Sequence, residues 1–195
     1  MQDNLIIYHD LIEGIVTAMD MRDHYTASHS ERVSAVSQQI CQMLKLPKRD
    51  TETIHIAAHL HDIGKIGVPD SVLRKASALT KEEWTQMKCH CEIGYQILSK
   101  VKGFETVAQI VRHHHERWDG RGYAIGLKGA EIPLGARVIA LADSIDAMLS
   151  NRSYRNSFTL LQCKAEIAKN SGAMYDPEIT GLVLKQWETV TAIYS

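Results

Sequence analysis

The sequence predicts an all-α protein, and three of its features do so. Apolar residues recur at helical spacing along most of the chain. No stretch alternates with period two over a useful length. The four prolines (Pro47, Pro69, Pro133 and Pro177) fall between periodic segments, so each punctuates an element instead of breaking one. Leu5, Tyr8, Leu11, Ile12, Ile15 and Met19 make an amphipathic first helix. Ser28 or Ser30 is placed to cap a second helix, which carries Val33, Val36, Ile40, Met43 and Leu44 and stops before Pro47. A third runs from about Asp50 towards the Gly64 to Gly67 region. Thr80 with Glu83 three residues on has the form of a capping box for a short helix. Further helices are expected around Ile93 to Val101, Phe104 to Glu116, Pro133 to Leu149 and Thr159 to Lys169. Asp176 before Pro177 reads as the N-cap and first residue of the last one. Two stretches, Gly64 to Ala78 and Asp119 to Ile132, lack the period, and irregular loops that long usually serve function.

Bulk properties narrow the function. A chain of 195 residues can bury a full core without disulfides or a structural metal. No apolar run approaches the roughly 18 residues of a membrane span. The N-terminus has no basic region or small-residue cleavage site, so the cytoplasm is the expected compartment. Four cysteines (Cys41, Cys89, Cys91 and Cys163) without a CxxC pair suit reducing surroundings. The formal net charge of -1 argues against a nucleic-acid polymer as partner, because neutralising many phosphates takes a basic excess. A small anionic ligand needs only a few local cations and fits.

Ten histidines are many for this length, and their placement carries the functional reading. His29, the pair His61 and Asp62, His90, the run His113 to Glu116, and Asp143 each lie near a helix end or on an apolar helix. Imidazole and carboxylate together suit Mn, Fe, Co, Ni or Zn. Asp62 has two oxygens, so it can bridge two ions while His61 binds one. Consecutive helical residues diverge by about 100°, so His114 and His115 can approach one ion only at an irregular helix end, or from different sides. Asp143 sits within VIALADSIDAML, where a buried carboxylate is costly unless paired or metal-bound. Each signal taken alone has a bland reading: an HD dipeptide by chance, His29 or His90 on the surface, a solvated histidine run.

Their order does not. LHDIGKIGVPDSVLRK, TKEEWTQMKCH, HHERWDGRGY, IPLGARVIALADSIDAM and NRSYR, over roughly His24 to Pro177, closely resemble the HD-GYP family. The resemblance implies an HD-superfamily helical core with extra helices and two functional loops. It divides the chain into an N-terminal helix (1–24) and a phosphohydrolase domain (25–195). It implies hydrolysis of cyclic di-GMP to linear pGpG, or onward to GMP, at two divalent ions, Fe or Mn first, with Ni, Co and Zn also accepted. His29, His61, Asp62 and Asp143 would hold one ion, and Asp62 would bridge to a second held by His90, His114 and His115. Asp62 and Lys65 would be catalytic. Lys65, Gly122, Tyr123, Arg152 and Arg155 would contact substrate. Two close cations acidify a shared water and clamp phosphate oxygens.

Two other readings stand beside it: a hydrolase for another cyclic dinucleotide or nucleotide such as cyclic GMP-AMP, and a weakly catalytic dinucleotide sensor or protein-interaction module. The first helix could pair across a homodimer or continue from an upstream sensor or receiver domain, or link to a diguanylate cyclase partner. Three features depart from the simplest pattern. Ala124 stands where the family has proline, so the loop loses a φ restraint. Tyr25, four residues before His29, stands where some members carry a glutamate for a third metal, which argues for two. Cys89 and Cys91 flank His90, where ordinary reduced thiols are expected over a soft-metal site. His9, His24, His55, His59 and His113 take no role, and His55 and His59 are expected on the surface.

Overall fold

The computed structural model describes residues 12–19, 21–22, 28–150 and 157–194. Residues 12–19 and 21–22 are helical and form α1. There follow α2 (His29–Met43), α3 (Lys48–Leu60), a 3-10 turn (Ile63–Gly67), α4 (Asp70–Leu73), α5 (Lys81–Lys88), α6 (His90–Leu98) and α7 (Glu105–His113). After a second 3-10 turn (Gly129–Glu131) come α8 (Leu134–Leu149), α9 (Leu160–Lys169), α10 (Pro177–Lys185), α11 (Trp187–Thr191) and a last 3-10 turn (Ala192–Tyr194). The described residues contain no strand, only an isolated bridge between Ser171 and Tyr175. The all-α expectation is met.

One helix organises the core. Val138, Ile139, Leu141, Ala142 and Ile145 of α8 are fully buried, and α8 packs on α2, α3, α7 and α9. Truncating a side chain such as Ile145 to Ala would cost about 2–5 kcal/mol, because lost burial and the residual cavity add. α2 lies against α3, α3 against α7, and α6 against both α7 and the first 3-10 turn. Ile12 and Val16 of α1 are buried in this same core. No helix of the described residues is long and apolar enough to cross a membrane.

The caps show why several elements begin where they do. Thr80 accepts from the Glu83 N–H at 3.3 Å while the Glu83 carboxylate accepts from the Thr80 N–H at 2.7 Å, the expected capping box. Asp176 accepts from the N–H groups of Glu178 and Ile179, ahead of Pro177. Ser28 departs from expectation. Its φ is 70° and its side chain caps nothing, so α2 starts at His29 without a hydroxyl cap, and Ser30 lies inside the helix. Tyr25 lies outside the described residues, as do His9, His24, Leu5, Tyr8 and Leu11. α3 ends at Leu60, and the Gly64 to Ala78 stretch, expected to be irregular, holds most of a 3-10 turn and α4. His59 is buried, not on the surface: α3 turns it inwards beside His55, whose Nδ1 lies 2.7 Å from Ser34 Oγ.

Candidate metal centre

Three helix ends build most of the site. The last carbonyls of a helix lack intrahelical partners, and here histidine rings take them up. His61 Nδ1 donates to Ala58 O at 2.7 Å, His90 Nδ1 to Met87 O at 2.8 Å, and His114 Nδ1 to Val111 O at 2.6 Å. A carbonyl only accepts, so each Nδ1 carries a proton, and in the neutral ring that leaves Nε2 as the nitrogen with the lone pair. α7 ends at His113, one turn sooner than expected, and that frees His114 and His115 to leave the helical path and approach a common point. The C-terminal ends of α3 and α7 bring partial negative charge to the same place, which favours a cation.

The seven residues expected as ligands fall into overlapping groups whose donor atoms lie within 4.8 Å of one another: His29, His61 and Asp143; His61, Asp62 and His114; and His90, His114 and His115. Asp62 lies between the outer trios. Its Oδ2 is 3.4 Å from His61 Nε2 and 4.0 Å from His29 Nε2, and its Oδ1 is 3.6 Å from His90 Nε2. His29 Nε2 is 3.5 Å from Asp143 Oδ1. Two donors about 2.1 Å from one ion, in tetrahedral or octahedral geometry, sit about 3.0–3.4 Å apart. His90 and His114 Nε2, both lone-pair bearing, face each other at 3.4 Å. Such a pair repels unless a cation lies between, so the donor set fits divalent metal.

The protonation states agree. Burial, followed by the neighbouring imidazoles, holds His114 and His115 well below the ordinary histidine range, so both are neutral and ready to ligate. For Asp62 burial works the other way, yet the Lys65 ammonium and the surrounding histidines hold its carboxyl well below the ordinary range. Lys65 Nζ is 2.8 Å from Asp62 Oδ2. The Cys91 thiol, 3.5 Å from His90 Nε2, is pushed up by burial and stays protonated, while Cys89 is exposed.

Two residues that sequence reasoning missed support this cage. Asp146, one turn beyond Asp143 on α8, accepts from His29 Nδ1 at 2.6 Å and also meets Arg32, Ser150 and Tyr194. It does for His29 what backbone carbonyls do for the other three rings. The i,i+3 spacing of Asp143 and Asp146, with Arg32 three residues after His29, was the available signal. Glu116 is the second. Its Oε1 accepts the N–H groups of Ile125 and Gly126 at 2.8 Å each, and Tyr123 N–H bonds His115 O at 3.2 Å. These bonds hold the loop that stacks Tyr123 on His115, with ring centroids 4.7 Å apart. Gly122 is required there, since an added Cβ would lie 2.4 Å from Glu116 Cα. Ala124 therefore lies in a loop held on one side by the His115 carbonyl, through Tyr123, and on the other by the Glu116 carboxylate, through Ile125 and Gly126. Arg152 and Arg155 lie outside the described residues.

An all-helical frame that gathers His and Asp side chains from its helix ends into one cage defines a class, helical proteins with a His/Asp metal-binding core. The profile described as HD domain matches residues 16–179, and the chain belongs to that family, within its HD-GYP branch. It is 41% identical over 193 residues to a cyclic di-GMP phosphodiesterase of Thermotoga maritima, spanning 96% of this chain and 52% of that protein. It is 33% identical over 186 residues to 3'3'-cGAMP-specific phosphodiesterase 2 of Vibrio cholerae, spanning 94% of this chain and 36% of that protein. In fold it resembles the crystal structure of V-cGAP3, a cyclic GMP-AMP-specific phosphodiesterase of V. cholerae, with a TM-score of 0.75 at 20% identity over 95% of this chain and 50% of that one. The chain thus spans about half, or less, of the length of these proteins.

Proposed function

We propose that this chain is a metal-dependent phosphodiesterase that opens cyclic di-GMP to linear pGpG at a two-metal centre. The observation that carries the reading is Asp62, set between the His29, His61 and Asp143 trio and the His90, His114 and His115 trio. The name of the Thermotoga relative supports the substrate. His29, His61, Asp62 and Asp143 would hold one ion, and Asp62, His90, His114 and His115 the other. Iron or manganese suits this thiolate-free set, since availability more than affinity decides among such metals. Divalent cations bound there would acidify a shared water and polarise phosphoryl oxygens.

The chain's own groups do the rest. Asp62 stays ionised, and His114 and His115 stay neutral and present lone pairs. Lys65 sets a cation beside Asp62, where it would neutralise charge growing on the phosphate oxygens in the transition state. Tyr123, a neutral phenol raised by burial, covers His115 and keeps water from that side. Gly122 and Tyr123 would border the substrate, and Arg152 and Arg155 would hold its second phosphate or guanine edges by bidentate bonds. α1, with the rest of residues 1–24, would link the 25–195 domain to a second copy or to a sensor, receiver or cyclase domain. The cytoplasm, where cyclic dinucleotides are made, is the proposed location.

The similarity to a cGAMP-specific protein supports a second reading, hydrolysis of cyclic GMP-AMP. The chain, purified anaerobically and loaded with Mn or Fe, separates the two when both dinucleotides are offered and products resolved by chromatography. Faster loss of cyclic di-GMP, with pGpG accumulating, is expected. Faster loss of cyclic GMP-AMP would favour the second reading, and no loss of either would overturn both.

A further inference from the structure

Arg22, on α1, belongs to none of the groups above, yet its guanidinium is fully engaged. Nε donates to Asp70 Oδ1 at 2.9 Å, and Nη2 reaches the same oxygen at 2.7 Å. Nη1 donates to Lys65 O at 3.0 Å and Ile66 O at 2.7 Å, and Nη2 donates to Val68 O at 2.7 Å. One side chain thus gathers the carbonyls of Lys65, Ile66 and Val68 and a carboxylate from the segment that follows the His61 and Asp62 pair.

The opposite face of that segment is pinned too. Gly64 presses so closely on α6 that an added Cβ would lie 1.8 Å from His90 O and 2.5 Å from Gly94 N. The 3-10 turn is therefore clamped between the α6 backbone and the Arg22 fork. Lys65 springs from the middle of the clamp, and its ammonium meets Asp62 at 2.8 Å. A short 3-10 turn has few bonds of its own, so its position depends on what grips it.

We propose that Arg22 is a positioning residue: by gripping the 65–70 segment it sets Lys65 against the site and makes α1 part of the active-site frame. The inference rests on the phosphate role given to Lys65. A planar fork with five donors matches this spread of acceptors; a lysine offers one point charge and reaches only some of them. Displacement of a catalytic group by about 1 Å can cost about a hundredfold in rate.

The test uses the full chain, metal-loaded, with cyclic di-GMP as substrate. Arg22→Ala should lower kcat by about 10- to 100-fold with KM little changed, unchanged metal content by elemental analysis and faster amide exchange over 65–70. Arg22→Lys should recover part of kcat. In a Lys65→Ala background, Arg22→Ala should add no further loss, because both act through one group. Additive losses, or exchange over 65–70 equal to that of the unmodified chain, would overturn the inference. If Lys65→Ala alone leaves the rate unchanged, the phosphate role of Lys65 fails instead, and amide exchange still decides whether Arg22 holds the turn.

Discussion

Replacing Asp146 with Asn keeps the shape of a 1%-exposed side chain and removes its charge. Burial alone would raise this carboxyl, but the bonds from His29 and Arg32 overcome it and bring it down to about 2 from 3.8. By linkage a difference of that size contributes roughly 2 kcal/mol to folding. The folded pKa is depressed, so the contribution is complete above the unfolded value of 3.8 and fades as pH falls towards about 2. For a chain of this length, 2 kcal/mol corresponds to a fall in Tm of about 4–8 °C. The amide has a second effect. Whichever way it turns, an NH2 faces either His29 or Arg32. Facing His29, it favours the tautomer with the proton on Nε2 and removes the lone pair aimed at the site. Loss of such a supporting carboxylate typically weakens metal binding by 10- to 100-fold. Thermal unfolding at pH 7 and pH 3 and titration with Mn(II) give the assay. The Tm gap should narrow at pH 3. An Asp146→Asn chain with unchanged Tm and Mn affinity would refute the support assigned to this carboxylate.

Three other changes separate metal holding from substrate handling. Lys65→Ala should retain metal while losing transition-state stabilisation on the order of 2–4 kcal/mol, read as kcat/KM; unchanged kinetics or loss of metal would count against its phosphate role. Arg152→Ala with Arg155→Ala should leave metal content intact by elemental analysis and weaken binding of cyclic di-GMP, measured by isothermal titration on a catalytically inert background that keeps its metal; an unchanged Kd would place both arginines in an ordinary solvated loop. Gly64→Ala forces a methyl into the His90 carbonyl, a strain of about 1–3 kcal/mol or more; it should lower both Tm and bound metal, and a stable, fully loaded variant would show that the turn is not held as described.

The residues that gather around Asp62 were legible because metal binding needs particular residue types and because five separated motifs occur in one order. The capping box at Thr80 and the Asp176 and Pro177 start were legible for a local reason: both are satisfied within a few residues. What was missed depends on distant parts of the chain. Ser28 looked like a cap by type, but its backbone turns left-handed before His29, so the hydroxyl cannot serve α2. His59 has the spacing of a surface residue, but α3 turns it inwards against His55. Asp146 was hidden because its partner His29 is 117 positions away, and its i,i+3 spacing from Asp143 places it near the site without naming what it faces. Arg22 was silent for the same reason, since four carbonyl and carboxylate acceptors converge on it only once the first 3-10 turn is packed on α6.

The central claim is that one carboxylate joins two metal positions in a hydrolytic site. Asp62→Ala, prepared alongside the unmodified chain under anaerobic conditions with Mn or Fe, tests it by elemental analysis and a cyclic di-GMP hydrolysis assay on the same samples. The account predicts that bound metal falls well below that of the unmodified chain and hydrolysis disappears. A variant that keeps full metal content and full activity would contradict it.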